Sequence, residues 1–449
     1  MRLLVAFWLV ASTARAAPVK LILDTDMGGG ACRDVDDVVA LCTLHALMDN
    51  GEVELLAVVQ DTAPPPCAGV ISVINHYYGR DDIPIGAYKG AGLTLEGEPP
   101  LTYVDSVVRN FPSPVKNNTQ VPNAVDVYRR VLAASSPRSV TIASVGLLVN
   151  LELLLRSGPD SHSPLTGAQL VAEKVVLLAA MAGDYPKSGP GFPVHECNAC
   201  GCFNQADSQS KATAAGASSY VVAHMPPSVR IIYLGFKDGD VVRTGAIMQS
   251  CATADNPCRH ALLDFRDHAG WGWGPGGRSS YDPLTTLLAV RGVSMEGMGF
   301  SECTDCDGVN SIDASNGANH WVAGPRSNQS YVVLHDKAIA QGALDTLLCQ
   351  PRRADRPLPP TAPPSPPTAP SPAAPTPAFT VPLPSAWQPQ AMVDNFVVAL
   401  ALAAIVVGAA KSVRKLMASR RQALFAKRRR NGALATQQDA AWDDVDTDL

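Results

Sequence analysis

Short and long apolar segments alternate along most of the chain. Short runs rich in Val, Ile and Leu predict strands at 19–23, 53–60, 139–145, 174–181 and 229–234. Longer apolar segments between them predict helices at 36–48, 69–78, 147–156 and 209–224. Strands that alternate with helices favour an α/β fold with a mostly parallel central sheet flanked by helices. In such sheets, ligands bind at the carboxyl ends of the strands.

An acidic segment follows the first predicted strand and precedes the first predicted helix. Five aspartates fall within fourteen residues there: Asp24, Asp26, Asp34, Asp36 and Asp37. Like charges at this density repel one another, so a fold keeps them together when a cation or a bound ligand offsets the repulsion. The acids would repel a phosphate, which argues against a phosphate-binding loop despite the glycines between them. The segment therefore predicts a cation or ligand site, with a helix N-cap cluster as the alternative.

The two ends of the chain predict a membrane-anchored cell-surface protein. Residues 1–16 combine one early basic residue, an apolar stretch and an Ala14-x-Ala16 end, as in a secretory signal peptide. Residues 391–410 are apolar except for Asp394 and are just long enough for a transmembrane helix. Nine Lys and Arg residues follow between 411 and 430 without an acid, which is typical of a cytoplasmic flank. A buried helix is the alternative for residues 1–16, and an amphipathic or buried helix is the alternative for residues 391–410.

These boundaries predict a single-pass type I protein with an extracellular N-terminal domain. Residues 17–350 form one large ectodomain, and 351–390 form a proline-rich stalk in extended conformation. A transmembrane helix at 391–410 and a cytoplasmic tail at 411–449 complete the chain. The net charge of −5 gives no indication of a nucleic-acid partner, and the sequence leaves a homo-oligomer open. Sequons at Asn117 and Asn328 favour a glycosylated surface.

The eleven cysteines all lie between residues 32 and 349, within the predicted ectodomain. An oxidising compartment predicts disulfides for most of them, and the odd number leaves at least one free thiol. We expect Cys42, inside an apolar helical segment, to be that buried thiol. Two closely spaced groups favour disulfides over a zinc site: Cys197-x-x-Cys200-x-Cys202 and Cys303-x-x-Cys306.

The acidic segment also carries a family resemblance. The pattern Asp24-Thr-Asp26-x-Gly, followed by Asp36-Asp37 and an apolar helix, resembles the N-terminal signature of the inosine/uridine-preferring nucleoside hydrolases. Weaker similar stretches at 54–59, 74–86, 144–150 and 280–284 extend the resemblance over most of residues 19–350. It implies a nucleoside hydrolase-like fold, one bound Ca²⁺, and hydrolysis of the N-glycosidic bond of ribonucleosides by water.

The resemblance also implies roles for individual residues. Asp26 would be both a metal ligand and the base that takes a proton from the attacking water. Asp37 would be a second ligand, the main-chain carbonyl of Val145 a third, and Asp282 a fourth that also touches ribose. Asp36 would hold a ribose hydroxyl. Three carboxylates, a carbonyl, water and sugar hydroxyls suit Ca²⁺, which takes six to eight oxygen ligands.

The sugar-binding side is matched less closely. In the family, a Glu-x-Asn pair grips the sugar, and Glu196 and Asn198 stand in a similar spacing. Asn204 is a rival for the second position, and a loop pinned by cysteines is the structural alternative for the whole segment.

Three departures from the family pattern affect what the resemblance implies. The acidic loop is longer, which makes Asp34 an additional acid near the ligands. The early asparagine of the family has no match, and Asp61 is its substitute. Tyr281 stands where many members have a histidine that protonates the leaving base.

A tyrosine has a pKa near 10 and is a poor acid at neutral pH. Purine-preferring relatives rely on aromatic stacking against the base, for which Trp271, Trp273 and Tyr281 are candidates. The two tryptophans serve equally well as loop packing.

The sequence therefore predicts Ca²⁺-dependent hydrolysis of ribonucleosides to free base and ribose at the cell surface. One alternative is a non-catalytic surface protein that retains a metal- or ligand-binding pocket on the same fold. Another is hydrolysis of a different N-riboside, such as a nicotinamide riboside, which keeps the mechanism and changes the leaving group.

Overall fold

A computed structural model describes residues 17–27, 34–63, 66–93, 102–188, 195–201, 207–270, 272–293 and 297–356. The predicted signal peptide, transmembrane segment and cytoplasmic tail lie outside these residues, as does the stalk beyond residue 356. Four individual residues singled out above also lie outside them: Cys32, Cys202, Asn204 and Trp271. Within the described ranges, no helix is both long and apolar enough to cross a membrane.

The strands of the described chain include all those predicted from the apolar pattern. In chain order they are β1 (Val19–Thr25), β2 (Val53–Gln60), β3 (Ile85–Ala87), β4 (Val140–Ser144), β5 (Val175–Met181), β6 (Arg230–Leu234), β7 (Arg243–Gly245), β8 (Trp273–Gly274), β9 (Gly277–Ser279), β10 (Phe300–Glu302), β11 (Gly308–Ile312), β12 (Asn319–Ala323) and β13 (Gln329–Leu334).

The predicted helices are also present, with ends displaced by a few residues. The helices are α1 (Asp36–Asp49), α2 (Cys67–Tyr77), α3 (Thr102–Asn110), α4 (Ala124–Ala134), α5 (Val149–Arg156), α6 (Gly167–Lys174), α7 (Cys197–Cys200), α8 (Ser208–His224), α9 (Phe236–Asp240), α10 (Met248–Cys251), α11 (Pro257–His268), α12 (Tyr281–Arg291) and α13 (Lys337–Leu348).

Eight strands form a central sheet in the order β10-β13-β6-β5-β4-β1-β2-β3. All neighbours from β13 to β3 pair in parallel, and β10 pairs antiparallel with β13. The predicted α/β fold with a mostly parallel sheet in one large domain is therefore confirmed. Two smaller antiparallel units, β7-β9-β8 and β11-β12, are added to it.

Helices cover both faces of the sheet, and β1 lies in its middle. Successive side chains of a strand point to opposite faces. Leu23 accordingly packs in the apolar layer that contains α1, whereas Ile22 packs in the layer that contains α4 and α5. The same alternation directs Asp24 towards α4 and α5 and Thr25 towards α1, as their hydrogen bonds show.

The disulfides correct two predictions and confirm another. Cys42 is not free, because it is bonded to Cys258 at the start of α11, which packs against α1. Cys303 and Cys306, which were expected in disulfides rather than in a zinc site, are bonded to each other, and a further bond joins Cys251 to Cys349. In the other closely spaced group, the expectation is wrong for Cys197, which is free. Cys200 is disulfide-bonded as well. The free thiols of the described chain are Cys67, which is buried, and Cys197, which is half-buried.

Candidate active site

Three buried carboxylates meet at the carboxyl edge of the sheet. Asp26 directly follows β1, Asp37 lies in the first turn of α1, and Asp282 lies in the first turn of α12. One carboxylate oxygen of each residue lies within 4.8 Å of the others. The N-terminal turns of helices favour negative charge, which helps to keep two of these acids there. The convergence brings together the three side chains that the sequence assigned as metal ligands.

Hydrogen bonds from neighbouring segments fix this arrangement. Thr25 donates its hydroxyl to Oδ1 of Asp37, which ties the end of β1 to α1. The backbone N–H of Asp282 donates to Oδ2 of Asp36 at 3.2 Å, which joins the first turns of α1 and α12. Asp36 is thus held beside the three carboxylates by a residue 246 positions away in the sequence.

Asp24 and Asp61 lie on the other side of the β1 terminus. Tyr128 of α4 donates its hydroxyl to Asp24 at 2.8 Å, and Asn150 of α5 donates its side-chain amide to Asp24 at 2.9 Å. Asp61, the first residue after β2, is fully buried beside Gly146. A Cβ at Gly146 would lie only 2.3 Å from Oδ2 of Asp61, so a larger residue would displace this carboxylate.

Burial and mutual repulsion make these acids hard to ionise in the absence of a cation. Burial raises the pKa of Asp24 and Asp37 to about 7. Burial, reinforced by the charge of Asp37, raises the pKa of Asp26 well above its usual value, and burial with the charge of Asp36 does the same for Asp282. A hard divalent cation with oxygen ligands would offset this cost, so the donor set fits Ca²⁺.

Asp34, the additional acid of the longer loop, has a cationic partner. Arg278 of β9 donates through Nε to Oδ1 of Asp34 at 2.7 Å and through Nη2 to Oδ2. Both side chains are largely buried, and the residues are 244 positions apart. This bidentate pair anchors the loop before α1 to the strand before α12.

Asn198 is hydrogen-bonded both to Glu196 and to Val145 within the protein. Asn198 donates its side-chain amide to the carbonyl oxygen of Val145 at 3.0 Å, and also to that of Met181 at 3.0 Å. The Glu196 carboxylate caps α7 by accepting from the N–H groups of Asn198 at 2.8 Å and Ala199 at 3.2 Å. It also accepts from the N–H of Gly183 at 2.8 Å.

These contacts hold the segment around α7 against the ends of β4 and β5. Burial raises the pKa of Glu196 to about 7, although the three N–H donors act in the opposite direction. The segment is therefore positioned at the same edge of the sheet as the carboxylates. Its polar side chains are bound to the protein itself.

Tyr281, at the start of α12, is also engaged by neighbours. Its hydroxyl donates to Oδ1 of Asp240 at 3.1 Å. Its ring stacks on Phe236 with a centroid distance of 5.1 Å and an interplanar angle of 19°. Burial raises the pKa of the Tyr281 phenol above its usual value, which makes it a still weaker acid. Trp273 of β8 is half-buried.

Comparisons with known proteins give the fold. No family model matches the chain, and no curated protein sequence matches it. Among solved structures, the purine-preferring ribonucleoside hydrolase from Gardnerella vaginalis is 14% identical with a TM-score of 0.51, covering 74% of this chain and 98% of that one. An inosine-guanosine nucleoside hydrolase is 16% identical with a TM-score of 0.52, covering 73% and 98%.

A third match is the type III effector protein XopQ complexed with adenosine diphosphate ribose. It is 16% identical with a TM-score of 0.50, covering 75% of this chain and 94% of that one. At these identities the likeness establishes a nucleoside hydrolase-like fold.

Proposed function

We propose that this protein hydrolyses the N-glycosidic bond of a ribonucleoside and releases the free base and ribose. The observation that carries the proposal is the convergence of Asp26, Asp37 and Asp282 to within 4.8 Å at the carboxyl edge of the sheet. These residues, with the carbonyl of Val145, would hold one Ca²⁺. The fold of the nucleoside hydrolases among the structural neighbours supports the same activity.

Asp26, Asp37 and Asp282 form what we call the triad, and these residues and their neighbours have distinct roles in this mechanism. A bound Ca²⁺ would neutralise the carboxylates and lower the pKa of a water molecule. Asp26 accepts the proton of the attacking water as general base. Asp36 accepts a hydrogen bond from a ribose hydroxyl. The remaining carboxylate charge stabilises the oxocarbenium-like sugar that forms as the bond to the base breaks.

The leaving-group side favours a base that departs without protonation by Tyr281. The phenol is bound to Asp240 and is a weaker acid than a free tyrosine. Tyr281 is 8% exposed and its ring stacks on Phe236, which is 38% exposed, so the aromatic surface that the pair offers to the base belongs mainly to Phe236. We therefore favour purine nucleosides, with Trp273 as a further aromatic neighbour.

A non-catalytic ligand-binding protein is the second candidate. It is favoured by the internal hydrogen bonds of Glu196, Asn198 and Tyr281, which occupy the groups proposed to grip sugar and base. A different N-riboside as substrate would keep the carboxylate chemistry and change only the leaving group.

Ribose release distinguishes these candidates. The purified full chain is incubated with Ca²⁺ and a panel of purine and pyrimidine nucleosides and nicotinamide riboside, beside the Asp26→Ala variant. We expect turnover by the wild type and a loss of at least about a hundredfold in the variant, because the general base is removed. A folded, calcium-loaded protein with no turnover on any of these compounds would support the binding role instead.

We also propose that the domain is presented at the cell surface on a proline-rich stalk, with the tail in the cytoplasm. The proposal rests on the sequence of residues 1–16, 351–390 and 391–449, and the disulfides of the domain are consistent with an oxidising compartment. Protease treatment of intact cells should spare residues 411–449 and remove the domain. Digestion of the tail in intact cells would contradict this topology.

A further inference from the structure

A second group of buried oxygens lies behind the triad, on the α4 and α5 side of β1. Asp24 and Ser144 are register partners on the parallel strands β1 and β4, so their side chains point to the same face. Asn150 reaches this face from α5 and contacts Asp24 at 2.9 Å. The carboxyl groups of Asp61 and Asp24 contact each other there. We call Asp24, Asp61, Ser144 and Asn150 the rear cluster.

Several oxygens of the rear cluster lack a hydrogen-bond partner within the described chain. They are both carboxylate oxygens of Asp61, the hydroxyl of Ser144 and Oδ1 of Asn150. All three residues are 0% exposed, so these atoms are fully buried. Buried polar groups are almost always paired, and an unpaired carboxylate is especially costly. Asp61 instead faces a second acceptor, the carboxyl group of Asp24. The backbone of Leu147 and a proton shared with Asp24 are the partners that the described chain offers Asp61. A bound cation would in addition give Ser144 Oγ and Asn150 Oδ1 the partner that they lack.

The charge balance indicates a cation. Six buried carboxylates, each at most 5% exposed, surround the end of β1: Asp24, Asp26, Asp36, Asp37, Asp61 and Asp282. One divalent cation at the triad offsets two of these charges. Arg278 is held in a bidentate pair by Asp34, which lies outside this set of six, and within the set its charge acts on Asp36. Ionising the remaining carboxyl groups of the set would require further compensation, which a second cation would supply.

We propose that the rear cluster is a second cation site, distinct from the triad, that takes a hard cation such as Ca²⁺. Two carboxylates, an amide oxygen and a hydroxyl are the oxygen donors that Ca²⁺ uses in proteins. The site goes beyond the proposed hydrolysis and does not depend on catalysis.

The location of Asp61 gives this second cation a structural consequence. A Cβ placed on Gly146 would be 2.3 Å from Oδ2 of Asp61 and 2.6 Å from the backbone nitrogen of Asp26, so the carboxylate lies close to the Asp26 main chain. A cation bound by Asp61 and Asp24 therefore fixes the end of β1 from behind. Asp61 acts as a positioning residue for Asp26.

Counting bound calcium tests the proposal. The full chain is stripped with a chelator, dialysed to equilibrium against Ca²⁺, and analysed by mass spectrometry of the metal and by titration calorimetry. The wild type should bind two Ca²⁺ per chain. Asp61→Asn, which keeps the size and shape of the side chain, should retain one Ca²⁺ at the triad. Its affinity for the second Ca²⁺ should fall at least about tenfold. Asp26→Asn should also bind fewer than two, through loss at the triad.

Matched variants keep the outcome unambiguous. Asp184→Asn removes another fully buried carboxylate, one that pairs with Lys237 at 3.1 Å, and should still bind two Ca²⁺. Ser144→Ala removes one neutral oxygen ligand and should weaken only the binding of the second Ca²⁺. This variant serves as the test if Asp61→Asn does not fold.

Two results separate this inference from the proposed function. The first result is a single Ca²⁺ per wild-type chain that is lost in Asp26→Asn and is bound with unchanged affinity by Asp61→Asn and Ser144→Ala. This result would overturn the second site and would indicate a proton shared by Asp24 and Asp61. The triad and its chemistry would stand. Absence of Ca²⁺ from the folded wild type would overturn both.

Discussion

The two sides of the candidate site differ in what their polar groups are bonded to. On the acidic side, Asp26, Asp37 and Asp282 converge, and burial with mutual repulsion raises their pKa values. On the sugar and base side, Glu196 is engaged by backbone N–H groups and Tyr281 by Asp240. In the proposed function, the acidic side takes up a cation that offsets this repulsion. The sugar and base side offers the aromatic surface of Phe236 and the segment around α7, which hydrogen bonds hold in place.

Removing a triad carboxylate should lower turnover more than any other substitution considered below. We expect Asp37→Ala to lower turnover by at least about a thousandfold, because several kcal/mol of charge stabilisation depend on the cation. Calcium affinity, measured by calorimetry, should fall with it. Asp184→Asn is the control and should stay within about threefold of wild type in both. Turnover by Asp37→Ala close to wild type would remove the acidic side from the mechanism.

Acid should weaken calcium binding on the same side. Burial raises the pKa of Asp37 to about 7, and the cation binds the ionised carboxylate, so protons compete with Ca²⁺ below that pH. The apparent affinity should fall about tenfold per pH unit for each proton displaced. Calorimetric titrations between pH 8 and pH 5 measure this slope, and an affinity independent of pH would contradict it.

The raised pKa of Asp37 also makes the stability of the calcium-free protein depend on pH. The folded pKa of Asp37 is raised above its unfolded value near 4. The stabilisation from holding this proton is complete below about pH 4 and is lost as the pH rises to about 7. Calcium should therefore raise the unfolding temperature more at pH 8 than at pH 5, and equal shifts at the two values would contradict this reasoning.

On the sugar and base side, Glu196→Gln should act mainly on stability. The carboxylate accepts three backbone N–H groups, and an amide has only one acceptor oxygen for them. We expect a loss of about 1–3 kcal/mol in the free energy of unfolding, measured with denaturant. Glu152→Gln, at a surface pair with Arg156, should cost less than about 1 kcal/mol. Unchanged stability with abolished turnover would show instead that Glu196 grips the substrate.

The smallest effect is expected at Tyr281. Tyr281→Phe keeps the ring stacked on Phe236 and removes a hydroxyl that is bound to Asp240, so turnover should stay within about threefold of wild type. Tyr281→Ala removes the ring on which Phe236 stacks and should lower turnover further. A loss of a hundredfold or more in Tyr281→Phe would identify this phenol as the acid of the leaving group.

The sequence predicted what short segments determine. The β1–α1 region was predictable because an apolar run, five aspartates and a helix follow one another directly, and the strand–helix alternation gave the fold class. Asp282 was assigned through the family resemblance. Tyr128, Asn150 and Arg278 escaped prediction because they reach their aspartates across 104, 126 and 244 residues, where no local pattern connects the partners.

Two other parts of the site show the same limit. Cys42 was wrongly expected to be free because its partner Cys258 is 216 residues away. The family resemblance assigned Glu196 and Asn198 to the sugar, and both lie at the carboxyl edge of the sheet, where Asn198 contacts Val145 and Met181. Their internal hydrogen bonds to Gly183, Val145 and Met181 depend on how three strands end together, which spacing alone does not encode.

The connectivity of two disulfides has a consequence for proteolysis. The loops closed by Cys42–Cys258 and Cys251–Cys349 overlap, so together they enclose every peptide bond from residue 42 to residue 349. A single cut anywhere in that stretch leaves two fragments that remain covalently joined. Asp37 and Asp282 then stay on one molecule, and a nicked protein keeps the parts from which its acidic centre is assembled.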